Sequence, residues 1–231
     1  MVKIGIDSGH GGVDSGAVGN GLKEKDITLK IGNLVTEKLG KYENVKVINS
    51  RVTDKTVSLK QRTDLFNKEK VDYLVSIHVN SFTNSSVRGY EDFIYNGKVG
   101  SNTSRYREIM HKNIIKKLGN ITNRGMKREN FHMLRESKMP AMLCEFLFIS
   151  NKADSDLLKQ NSFINKIADG IVNGIVEIFK LKLKKVEPNK PKKKVYYRAV
   201  AGSYESEKNA DRIVENLKKQ GYSAFKLRYE E

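Results

Sequence analysis

One cysteine in 231 residues, Cys144, leaves nothing to close an internal disulfide and no thiolate cluster for a metal. Any bound metal would therefore rest on histidines and carboxylates. Histidines are few as well: His10, His78, His111 and His132. Tryptophan is absent, and two of the three prolines, Pro188 and Pro191, fall in one lysine-rich stretch. No apolar run approaches the roughly 20 residues of a membrane-spanning helix, so no membrane span is expected. The N-terminus leads straight into a strand pattern, without the basic start, apolar stretch and small-residue cleavage site of a secretory signal peptide. Acidic residues are outnumbered 27 to 43, for a formal net charge of +16 and a pI near 9.7. Such a balance favours polyanionic partners: nucleic acid, anionic lipid or an anionic cell wall. Nucleic acid is not expected, because no recognition helix, zinc-finger spacing or aromatic-basic sheet motif accompanies the charge. The excess is also spread, with 29 basic against 20 acidic residues up to Lys180 and 14 against 7 beyond it.

What the chain does have is alternation of strand and helix patterns. Val2, Ile4 and Ile6 alternate with Lys3 and Gly5 in a strand's period of two, broken by Asp7, Ser8 and Gly9. His10 is thus expected just past a strand end, between glycines, where open α/β sheets build their sites. Asp26 is a suitable N-cap for a helix with Ile27, Ile31, Leu34, Val35 and Leu39 on one face, which puts Glu24 at a helix entrance. Residues 45–49 read as a second strand, and Ser58 with Gln61 as a capping box for a helix to about Asn67. A third strand over 71–79 carries His78 near its carboxyl end. Residues 90–95 read as a strand, antiparallel or at an edge, and 104–118 as a helix. Residues 141–148 form a buried central strand interrupted by Glu145, with Leu143, Glu145 and Leu147 on one face and Cys144 on the other. Residues 162–179 are the strongest amphipathic helix. The pattern predicts an α/β fold with a mostly parallel sheet flanked by helices. Residues 181–194 have a linker's composition, separating a main domain, 1–180, from a small β-α-β unit, 195–231. In that unit we expect strands over 196–200 and 223–227 around a helix from Glu207 to Gln220.

Four polar residues interrupt the pattern: His10, Glu24, His78 and Glu145. Two histidines and one carboxylate make a zinc ligand set that keeps one position for water and lowers that water's pKa to about 7. A second carboxylate would accept its proton. Glu145 suits that task, since a charge within a buried strand is costly unless paired or working. The residues alone leave two other readings open. Glu145 could be buried against an arginine such as Arg62 with no metal, or Cys144 could be a nucleophile with His132 or His111 as its base. Otherwise His111 reads as a helix-surface residue and His132 as a strand residue.

The segments DSGHGGVDSGAVGNGLKEKD, RVTDKTVSLKQR, SIHVNS with Gly89 to Glu91, and RGMKRENFHMLRESKMPAMLCEFLFISN run in order through about residues 1–179. They resemble the successive motifs of zinc-dependent N-acetylmuramoyl-L-alanine amidases of the amidase-3 type, found in bacterial autolysins and phage endolysins. The resemblance implies a twisted sheet flanked by helices, Zn²⁺ held by His10, Glu24 and His78, and Glu145 as the catalytic glutamate. It implies peptidoglycan as substrate, cut at the amide between N-acetylmuramic acid and the L-alanine of the stem peptide. A wall-binding protein that has lost activity is the alternative, and the intact His10, Glu24, His78 and Glu145 speak against it. The tail AVAGSYESEKNADRIVENLKKQGYSAFKL resembles one half of a SPOR-type peptidoglycan-binding repeat, whose full module has two such halves. Pairing with a second copy, and hence a homodimer through this unit, would supply the missing half. With no signal peptide in the pattern, the expectation is a phage or prophage endolysin, made in the bacterial cytoplasm and acting at the cell wall after release.

Overall fold

The computed structural model describes residues 1–185 and 201–228. Their elements are β1 (Val2–Ser8), β2 (Val18–Gly19), β3 (Leu22–Lys23), α1 (Glu24–Leu39), β4 (Val45–Asn49), α2 (Leu59–Glu69), β5 (Tyr73–Asn80), β6 (Tyr90–Tyr95), α3 (Ser101–Leu118), β7 (Asn123–Glu129), α4 (His132–Arg135), β8 (Ala141–Phe148), α5 (Lys152–Leu158), α6 (Asn161–Phe179) and α7 (Glu207–Lys219). The chain divides into two compact units, Met1–Lys185 and Val186–Glu231.

In the first unit six strands form one sheet in the order β4-β1-β5-β8-β6-β7. All neighbours are parallel except β6 and β8. The expected antiparallel strand is therefore β6, but it is not at an edge, because β7 covers it. β7 is absent from the sequence expectations. Its residues, NRGMKRE, have no apolar alternation, as befits an edge strand whose charged side chains discourage further pairing.

Apolar alternation along the strands builds a core on each face. On one, Ile4, Ile6, Tyr73, Val75, Ile77, Met142, Cys144 and Phe146 pack under α1, α3 and α6. On the other, Leu74, Phe93, Ala141 and Leu143 pack under Phe66 of α2 and Met133 and Leu134 of α4. Helix α6 reaches α3 through Gly170 and Gly174, where an added Cβ would lie 2.9 Å from the Ile114 Cα and 3.1 Å from the Met110 Cα. Larger residues there would push the helices apart. The expected capping box at Ser58 and Gln61 is formed at the start of α2.

Leu147 departs from the expected alternation. It packs with Cys144 and Phe146, not with Leu143. Its φ is +68°, and the β5–β8 register slips by one residue between His78/Glu145 and Asn80/Phe148. This β-bulge sits directly beyond Glu145 and inverts the pattern that follows. His132 lies on the short helix α4, not on a strand.

Residues 181–184, placed in the linker by composition, pair with the turn before β4. Leu183 bridges Tyr42, the Glu43 N–H donates to the Lys182 carbonyl at 2.8 Å, and the Lys184 N–H to that of Lys41 at 2.9 Å. The second unit contributes one element among the described residues, α7, which buries none of its residues. Lys226 reaches back to Glu207 at 2.5 Å and Asp211 at 2.7 Å. The strand expected at 196–200 lies outside the described residues, and 223–227 shows no ladder among those described. None of the described helices is long and apolar enough to cross a membrane.

Candidate active site

The carboxyl ends of β1, β5 and β8 open on the face covered lower down by α2 and α4, and there the four expected residues meet. His10 follows β1 with φ +60°, a left-handed conformation that a non-glycine residue keeps only when its surroundings hold it. Two buried arginines do so. Arg51 donates to the carbonyls of Ser8 and Gly9, both at 2.9 Å, and to that of Lys25 at 2.7 Å. Arg62 donates to the carbonyls of Ser8 at 2.7 Å and His10 at 2.6 Å, and pairs with Asp7 at 2.8 Å. Arg62 is thus the partner of Asp7 and not of Glu145. Burial pushes the Asp7 carboxyl up, but the Arg62 and His78 charges and hydrogen bonds from Arg62 and Ser76 outweigh it and leave it below the ordinary value.

Glu24 is the first residue of α1 itself. The helix starts after Lys23, which offers no side-chain cap, and Asp26 lies in its first turn instead of capping it. The Glu24 carboxylate accepts backbone N–H groups of Ala17 at 2.8 Å and Val79 at 3.0 Å. It also meets His10 Nε2 at 3.2 Å and His78 Nδ1 at 2.9 Å. Burial opposes its ionisation, and these partners hold its pKa far below the usual carboxylate range. One ligand atom each from His10, Glu24 and His78 lies within 4.8 Å of the others. Glycines make this possible: an added Cβ would stand 2.4 Å from the His78 ring at Gly9 and 2.6 Å from Glu24 Oε2 at Gly16.

The cluster is short of positive charge. His10 is pushed up to about 9: burial works against its charging, but Glu24 and Asp14 more than offset that. His78 is raised as well, burial being outweighed by Glu24, Glu145 and Asp7. Two imidazoles drawn toward protonation around a carboxylate held in its ionised form make a donor set suited to a divalent cation. Asp14 Oδ2 accepts from His10 Nδ1 at 2.8 Å, and its Oδ1 accepts from the Gly16 N–H at 3.0 Å. The bond to His10 fixes the ring and turns Nε2 toward Glu24.

Glu145 lies beside His78 in the β5–β8 register. Its Oε2 is buried without a hydrogen-bond partner. Burial, reinforced by Glu24 and Glu91 and opposed by His78 and His10, pushes its pKa up to about 8. A carboxyl poised there exchanges a proton near neutral pH.

The other histidines stand apart. His111 is not a free helix-surface residue: its Nδ1 pairs with buried Asp92. His132 Nε2 meets Thr63 at 3.3 Å. Cys144 is fully buried on the opposite sheet face, its thiol is pushed well up by burial, and its polar contact is Tyr90 at 3.6 Å. No thiol–imidazole pair exists among the described residues, so the cysteine-nucleophile reading falls. Sequence reasoning missed Asp14, the Arg51 and Arg62 clamp, and Glu91. The signal for Asp14 was its position in the same glycine-flanked loop as His10.

Known proteins resemble this chain throughout. The sequence model of the N-acetylmuramoyl-L-alanine amidase family matches residues 4–177, and that of the SPOR domain residues 179–228. The N-acetylmuramoyl-L-alanine amidase CwlM of Bacillus licheniformis is 41% identical over 226 residues, covering 97% of this chain and 84% of that protein. An endolysin of Bacillus phage SPP1 is 42% identical over 81% of this chain and 69% of its own length. The catalytic domain of the N-acetylmuramoyl-L-alanine amidase CwlV from Bacillus (Paenibacillus) polymyxa var. colistinus superposes with a TM-score of 0.75 at 35% identity, over 79% of this chain and all of that one. The chain belongs to the N-acetylmuramoyl-L-alanine amidase family and is a peptidoglycan amidase.

Proposed function

We propose that the amide between N-acetylmuramic acid and L-alanine is hydrolysed at the carboxyl ends of β1, β5 and β8, with His10, Glu24 and His78 holding Zn²⁺ and Glu145 carrying the proton. The observation that carries this reading is the juxtaposition of a cation-demanding His-Glu-His cluster with a carboxyl that has a buried, partnerless oxygen. A zinc held by three protein ligands supplies water activation and carbonyl polarisation. The chain's own groups do the rest. Asp14 orients His10, and the Glu24 bonds to Ala17 and Val79 fix its carboxylate. Glu145 takes a proton from the attacking water and returns it to the departing alanine nitrogen, so the amine leaves neutral.

Residues 1–180 serve as the catalytic domain in this reading, and 195–231 target it to the wall or pair it with a second copy. A helix whose apolar residues Ile213, Val214 and Leu217 are only partly covered, together with the SPOR match, supports that role. The place of action is the bacterial wall, as a phage or prophage lysin or as a bacterial lytic amidase. Digestion of purified walls tests the central assignment. It should release new alanine amino termini at a rate that follows added zinc and produce no new reducing sugar. New reducing ends, or a new amine on a residue other than alanine, would overturn it.

A further inference from the structure

The row of charge on the open face does not stop at Glu145. Glu91 lies directly opposite it in the β6–β8 ladder, so the two Cβ atoms are about 4.5–5.5 Å apart. Glu91 is 4% exposed. Its Oε1 accepts from Asn80 at 2.8 Å, and its Oε2 from Arg124 at 2.8 Å and from Lys127. Two cations on one carboxylate oxygen are more than burial of that carboxylate requires.

The backbone is bent to bring them there. Arg124 and Lys127 are three residues apart, which on a regular strand places side chains on opposite faces. Between the pairs Tyr90/Asn123 and Asp92/Met126 the β6–β7 register slips by one residue, and Gly125 takes φ +85° with no atom near its missing Cβ. The bulge sets two residues of β7 against Glu91 and turns both cations to the same face. Both remain partly exposed, at 31% and 39%. Arg124 lies 4.9 Å over the Phe148 ring and uses only Nε on Glu91, so its two terminal nitrogens make no hydrogen bond among the described residues. A planar fork, seated over an aromatic ring with its ends open, is suited to a carboxylate.

We propose that Arg124 and Lys127, seated on Glu91, bind a free carboxylate of the stem peptide on the alanine side of the scissile amide, and thereby set which stem peptides are cut. The reach is right: Arg124 and Lys127 rise from β7, two strand spacings or about 9.6 Å from β8, their charged ends reach back to Glu91 on the strand between, and an extended peptide advances about 3.3 Å per residue. The residue that follows L-alanine therefore arrives at the pair. Glu91 is a positioning residue, and Arg124 and Lys127 are the contacts. The proposal rests on the amidase reading of the site.

The test uses the zinc-loaded full chain and two soluble muropeptides that differ only in whether the residue after L-alanine carries a free α-carboxylate or a carboxamide. The wild type should favour the carboxylate by about 10- to 100-fold in kcat/KM, the range of a charge-assisted hydrogen bond, with the difference in KM. Arg124→Gln and Lys127→Gln should each bring the ratio toward one, whereas Arg124→Lys, which keeps the charge but loses the fork, should keep only part of it. Raised salt should shrink the ratio in the wild type. Equal kcat/KM for the two substrates in the wild type overturns the proposal, whatever the variants do. Equal losses on both substrates in folded, zinc-binding variants overturn it too. No cleavage of either substrate by the wild type marks failure of the amidase reading instead.

Discussion

Two clusters of titratable groups lie back to back on the two faces of β5, β6 and β8, and only one of them is open. On the face under α3, Asp92 pairs with His111, His111 meets Asn123 at 3.1 Å, and Tyr90 meets Cys144. On the other, His10, Glu24, His78 and Glu145 converge. Both hold a carboxyl that burial raises, Asp92 and Glu145. In the closed cluster the histidine is spent on that carboxyl. In the open one, the histidines face Glu24 and leave Glu145 without a hydrogen bond. Burial of acid and imidazole together is therefore not what makes chemistry. Each carboxyl has one buried oxygen without a partner; the difference is that Asp92 is tied through its other oxygen to His111, whereas Glu145 has no imidazole bound to it among the described residues and stands next to the His-Glu-His cluster.

That contrast is sharpened most by removing a ligand. Either His78→Ala or Glu24→Ala should abolish zinc binding and wall hydrolysis, as read by metal content and released amine. Next, Glu145→Gln should lower turnover by about 10²- to 10⁴-fold while the metal stays. Asp14→Asn changes only the group that orients His10, and zinc affinity should fall by about 10- to 100-fold in a competition titration with a chelator. On the closed side His111→Ala leaves Asp92 buried and unpaired. It should cost about 1–3 kcal/mol in denaturant unfolding with turnover near that of the wild type; a collapse of turnover in folded protein would break the comparison.

The smallest expected effect is in acid. Because the folded Asp7 pKa is depressed, its contribution to stability is complete above the unfolded value of about 3.9 and is lost as pH falls through the folded value. The loss is at most about 1.4 kcal/mol per pH unit. Unfolding curves between pH 5 and pH 2 should show the decline beginning below pH 4.

The four residues of the proposed site stood out in the sequence because each breaks a local rule: a histidine at a strand end, an acid within an apolar strand. The main helices followed from apolar spacing. What was hidden depends on partners distant in the chain. β7 has no pattern of its own and forms because β6 offers an edge. Arg62 reads from the sequence only as a possible partner for Glu145, and the part it shares with Arg51 emerges when the carbonyls of residues 8–10 are seen to need donors. Leu147 obeys alternation in sequence and violates it in space, since the bulge at the site costs one residue of register. Asp26 is a good cap by type, but the β2–β3 hairpin delivers the chain into α1 three residues sooner, with Lys23 at the cap position.

The central claim separates holding a metal from moving a proton, and one paired titration addresses both. Metal-free wild type and Glu145→Gln are titrated with Zn²⁺ while wall hydrolysis is followed in the same samples. The account predicts one zinc per chain in each protein, with hydrolysis rising to a plateau at one equivalent in the wild type alone. Wild-type rates in Glu145→Gln, or hydrolysis by the wild type that ignores zinc, would contradict it.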